Sequence, residues 1–117
     1  MPDDVPVLAC RLDALDPEER ARRAELAETV TGRFAEVRET ADGYAARLAV
    51  DAELARDALE WILLERRCCP FLRLELGFES ERDVLWLRFG GGPGVKAFLA
   101  AAGVTARPAP ADSGCGC

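Results

Sequence analysis

Residues 64–76 read "LERRCCPFLRLEL", and a change of pattern inside them decides the fold. Upstream, Leu54, Ala55, Ala58, Leu59, Ile62 and Leu63 recur at helical spacing. Downstream, Leu72, Leu74, Leu76 and Phe78 alternate with Arg73, Glu75, Gly77 and Glu79. That is the period of an antiparallel strand with one covered face. Pro70 separates the two periods, because a proline disfavours the helical conformation in the residue before it. The helix must finish by Cys69, and a strand must follow.

Working outward, Asp51 caps the start of this helix, with Glu53 in its first turn. Before it, residues 33–39 and 43–50 form a hairpin pattern around "TADG", with Ala35, Val37, Tyr44, Ala46, Leu48 and Val50 alternating. After the downstream strand comes the turn "SERD" and a return strand carrying Leu85, Leu87 and Phe89. Val84 and Trp86 fall on its outer face, which leaves room for a homodimer through the open side of the sheet. "GGGPG" then leads into a last helix, Pro93 to Ala102, closed by Gly103. Near the start, Asp16, Pro17 and Glu19 spell a capped helix running to about Val30. Its charged run "PEERARRAE" reads as a solvated face. Residues 7–12, "VLACRL", read as a short strand or extended lead-in with Leu8, Cys10 and Leu12 on one face.

The expected fold is α+β, with element order α-ββ-α-ββ-α. One domain over residues 1–103 holds a four-stranded antiparallel sheet from two hairpins, with helices packed on one face. From Val104 the chain reads "VTARPAPADSGCGC". It offers no large apolar side chain beyond its first valine, so residues 104–117 are expected to form a flexible tail ending in Cys-Gly-Cys.

With 117 residues, half of them apolar and 31% charged, the chain suits one globular core. No apolar run approaches the roughly 18 residues of a membrane span. A net charge of −6 argues against nucleic acid and against an anionic membrane surface as partners. The acidic opening "MPDDVPVLAC" lacks the features of a signal peptide, so the expected location is the cytoplasm, where thiols stay reduced.

There are five cysteines and no histidine. The absence excludes Ser-His and Cys-His catalysis and every imidazole ligand. Any metal must be held mainly by thiolate. Cys68 and Cys69 sit at a helix-to-strand junction and not in an apolar stripe. Arg66 and Arg67 would favour their thiolates by direct charge, although the helix C-terminus opposes this. Adjacent thiols do not match the usual spacing of a zinc knuckle and suit soft acceptors instead: Cu(I), Hg(II) or As(III). Cys115 and Cys117 add a second pair, long-tethered enough to reach the first. Glu65 lies one helical turn from both inner cysteines. An ordinary exposed glutamate is its plainer role, as a small hydrophobe is for Cys10. "GGGPGVK" fails as a phosphate loop, since no Ser or Thr follows Lys96.

"LERRCCPFLRLEL" resembles the ERxCCPF motif of small bacterial proteins, some linked with mercury or metalloid resistance. The resemblance covers residues 44–99 loosely and implies no particular activity. A mobile cysteine pair feeding an inner pair is also similar to the arrangement in mercuric reductases, but this chain has no flavin-binding fingerprint. The leading expectation is a soft metal(loid)-binding protein: Cys115 and Cys117 capture the ion, Cys68 and Cys69 hold it, and a transfer or redox partner protein receives it. The rivals are a thiol–disulfide redox protein, an organometal lyase with Glu65 as proton donor, and a plain interaction domain.

Overall fold

The computed structural model describes residues 8–108. Its elements are α1 (Pro17–Thr31), β1 (Glu36–Glu39), β2 (Gly43–Ala49), α2 (Ala52–Cys68), β3 (Arg73–Phe78), β4 (Val84–Gly90) and α3 (Val95–Ala101). The expected α-ββ-α-ββ-α order holds, preceded by a short 3-10 turn at Leu12–Ala14. All strand pairs are antiparallel, in the order β1-β2-β4-β3. The hairpins therefore meet through β2 and β4, whose register runs from Gly43 opposite Gly90 to Ala49 opposite Val84.

Local chemistry accounts for the boundaries. Asp16 accepts from the Glu19 amide at 2.8 Å while Glu19 accepts from the Asp16 amide at 3.0 Å, so α1 opens with a complete capping box. Asp51 accepts from the Leu54 amide at 2.9 Å and starts α2. α2 ends at Cys68, with Cys69 as its C-cap immediately before Pro70. The last helix begins at Val95 and not at Pro93, because Gly94 takes φ 89° as its N-cap. Gly103 closes that helix at φ 102°, a conformation costly for any residue with a Cβ.

The core fills the space between the helices and one face of the sheet, where Leu26, Val30, Leu48, Leu54, Leu85 and Leu87 are fully buried. Burying each such side chain is worth roughly 1.5–3 kcal/mol. On the other face Ala45, Val84 and Trp86 form a small cluster, as the alternation predicts. Arg38 and Arg88 lie 4.8 and 5.6 Å from the Trp86 ring centroid.

Further expectations need correction. Residues 8–10 form no strand; the lead-in is held by the Arg11 amide donating to the Cys68 carbonyl at 2.6 Å. The inward face of α2 is rotated from the apolar stripe: Leu59 and Leu63 are each 50% exposed, while Trp61 and Glu65 are buried. Phe78, placed by alternation on the covered face, is 66% exposed at the end of edge strand β3. The charged run of α1 is not simply solvated, because Arg22 donates to Glu60 and Arg23 pairs with Glu65, both on α2. Residues 104–108 run against the domain: Val104 packs on the core, and Arg107 and Val37 exchange backbone hydrogen bonds of 2.8 and 2.9 Å. Residues 109–117, with Cys115 and Cys117, lie outside the described residues.

Candidate thiol centre

The end of α2 presents Glu65 and Cys68 to the interior one turn apart, and the C-cap presents Cys69 beside them. The lead-in adds Cys10, brought there by the Arg11–Cys68 backbone bond. One ligand atom from each of Cys10, Glu65, Cys68 and Cys69 lies within 4.8 Å of the others. No other such group occurs among the described residues. Cys68 and Cys69 are fully buried, and Cys10 is half-buried.

Cys10 and Cys69 are joined as a disulfide across 59 residues, with 4.7 Å between their Cα atoms. The expectation of reduced thiols throughout, with Cys10 a mere packing residue, is therefore corrected. Spatial approach of the lead-in, invisible in sequence, brings the two sulfurs together. Cys68 is the free cysteine among the described residues, its Sγ 3.7 Å from that of Cys69.

Glu65 is the second correction. It is only 7% exposed, accepts from the Trp61 indole N–H at 2.8 Å and pairs with Arg23 at 2.9 Å. Burial raises its carboxyl above the ordinary range, and the Arg23 charge and the indole bond only partly offset this. Arg23 and Trp61 are site residues that the sequence reading missed. A signal existed for the first: Arg23 lies three and seven residues before Leu26 and Val30, on the one inward face of α1.

The arginines beside the cysteines do not activate them. Arg66 is exposed, and Arg67 turns outward to donate to Glu19 at 2.6 Å and to the Ala14 carbonyl at 3.1 Å. The Cys68 thiol is instead pushed up, by burial first and by the neighbouring Glu65 charge second, with Arg23 opposing. Cys68 is therefore expected to alkylate at least about tenfold more slowly than free cysteine at neutral pH. Iodoacetamide labelling followed by peptide mapping would measure this, and Arg67→Ala should leave the rate unchanged.

Beside the sulfurs lies a cavity of about 390 Å³. Cys10, Cys69, Glu65, Arg23, Glu28 and Thr31 line it together with apolar side chains that include Leu74, Leu87, Phe89 and Phe98. The Arg23 Nε in this region is buried with no hydrogen-bond partner among the described residues. A larger depression of about 550 Å³ on the outer sheet face is lined by charged side chains such as Arg47, Arg82 and Glu79, and holds no thiol. Lys96 pairs with Glu39 at 2.9 Å, so the glycine-rich turn has its charge satisfied within the protein. No helix among the described residues is long and apolar enough to cross a membrane.

The thiol centre is thus a largely buried three-cysteine, one-glutamate cluster beside a mainly apolar cavity. No known family model, curated protein or solved structure matches the chain.

Proposed function

We propose that the protein binds a soft metal or metalloid ion through Cys10, Cys68 and Cys69 in their reduced state, As(III) and Hg(II) being the best-suited ions. The observation that carries this reading is the convergence of three sulfurs and a carboxylate oxygen within 4.8 Å. Two of the sulfurs come from adjacent residues, which suits the open two- or three-sulfur shells of soft ions better than tetrahedral zinc. Arsenite fits the count: three thiols replace its three hydroxyl groups, three As–S bonds form and three waters leave, with no change of oxidation state. Glu65 stands within reach to relay a thiol proton to a departing hydroxyl group.

Oxidation closes the site, because the Cys10–Cys69 bond consumes two of the three ligands. A dithiol or phosphine reductant reopens it. Cys115 and Cys117 keep their place in the reading as a second sulfur pair that hands the ion inward, and the motif's likeness to resistance-linked proteins agrees with it.

Native mass spectrometry tests the proposal. Phosphine-reduced protein should take up one As(III) with loss of three protons, and the oxidised form should bind at least about 100-fold more weakly. Nanomolar zinc binding that neither Hg(II) nor As(III) displaces would end the soft-ion reading.

One observation favours a second reading. With Cys68 Sγ 3.7 Å from Cys69 Sγ, a Cys68 thiolate could attack Cys69, form a Cys68–Cys69 bond and release Cys10 as thiolate. Disulfide mapping after acid trapping would reveal that exchange. The elevated Cys68 thiol pKa works against it.

A further inference from the structure

Resting on that reading, we infer that the site accepts arsenic(III) that still carries one organic group, R–As(III). The Cys10 and Cys69 sulfurs take the ion, and the adjoining apolar cavity takes the group.

The shape of the site supplies the first reason. A bare ion held by buried sulfurs has no use for a cavity of about 390 Å³ next to them. That volume falls in the ~300–1,000 Å³ range of small-molecule sites. Without such a group it would be filled by water. Water can pair with Arg23, Glu28, Thr31 and Glu65, but along Leu74, Leu87, Phe89 and Phe98 it finds few hydrogen-bond partners, whereas an aryl or alkyl group is at home there.

The sulfur count supplies the second reason. Cys10 and Cys69 line the cavity, while Cys68 stands behind the wall, fully buried. A monosubstituted arsenic(III) acid carries two exchangeable hydroxyl groups, one fewer than arsenite. Two thiols displace them, two As–S bonds form and two waters leave; arsenic keeps its As–C bond and its oxidation state. The wall presents the two sulfurs such a ligand needs, with apolar space on the side where its carbon must point.

The test uses the full, reduced chain and two probes with the same thiol chemistry, methylarsonous acid and phenylarsonous acid. Each is competed against dithiothreitol, which binds both through two sulfurs and has no cavity. The expected result is a preference for phenyl over methyl of about 10- to 100-fold beyond the dithiol reference, from the extra apolar area buried. Ala27→Trp on α1 and Leu74→Trp on β3 narrow the cavity from two walls. In either variant the preference should fall towards one while arsenite uptake persists. Should both variants fail to fold, the wild-type preference decides alone. Equal relative affinities for the two probes in the wild-type protein overturn the inference and leave the soft-ion reading standing. Failure to bind arsenite and both probes would instead remove that reading, and the inference with it.

Discussion

Reducing the Cys10–Cys69 bond is expected to lower the melting temperature by about 10–20 °C, and arsenite in excess is expected to restore most of it. The first half follows from the loop the bond closes. A cross-link across 59 residues removes much of the freedom of the unfolded chain, and bonds of this kind typically contribute about 2–4 kcal/mol. In a domain of this size each kcal/mol shifts the melting point by about 4–8 °C. The second half follows from linkage. An ion that binds only the folded chain, at a thousand times its dissociation constant, stabilises it by about 4 kcal/mol. Thermal unfolding followed by circular dichroism, on oxidised, phosphine-reduced and reduced-plus-arsenite samples, measures both. Cys10→Ser should melt with the reduced form and should recover little with arsenite. Coincident curves for oxidised and reduced protein would show that the bond carries no stability. A reduced protein indifferent to arsenite would tell against the thiol centre as an ion site.

The second large effect belongs to the Arg23–Glu65 pair. Arg23→Met is expected to destabilise the protein by about 3 kcal/mol at neutral pH, because it leaves a buried carboxylate without its counter-charge. Glu65 already has its carboxyl raised by burial in the folded protein. A carboxyl raised on folding favours the folded state most below its unfolded pKa, and that contribution is lost as pH rises through the folded pKa. Removing Arg23 pushes the carboxyl further in the same direction. The deficit of the variant should therefore be full at neutral pH and shrink as pH falls towards about 4. Urea unfolding across that range, with the wild type beside it, gives the comparison. Arg23→Met with Glu65→Met should recover much of the loss, since an apolar pair can replace a buried ion pair at little cost. A deficit independent of pH would assign Arg23 to packing alone.

The course of the chain was legible wherever a local rule governs it. Asp16 with Glu19, Asp51, Pro70 and Gly103 fix helix ends through backbone chemistry that depends on immediate neighbours. The alternation in residues 43–49 and 84–89 fixes strand faces in the same way. The face of α2 was less legible, because Leu59 and Leu63 are as apolar as the residues that turn inward. Only the pairing of Glu65 with Arg23 and Trp61 distinguishes the sides, and that pairing is tertiary. Cys68 and Cys69 were found from their adjacency. Their third partner was not, since Cys10 reaches them through a backbone contact between segments far apart in sequence. The direction of Arg67 was equally hidden: it belongs to Glu19, and the thiols beside it lose the charge that proximity in sequence suggests.

The seam between β2 and β4 has a consequence for the order of assembly. Each hairpin can zip locally within about 1–10 μs, but docking them requires closing a long loop, so the seam is the slow step. Every ligand of the thiol centre precedes Pro70, whereas Leu87, Phe89 and Phe98 of the cavity wall follow it. The sulfurs can thus gather during the collapse of α1 onto α2, before the apolar wall exists. A chain emerging from the ribosome can therefore bring its sulfurs together first and enclose them last.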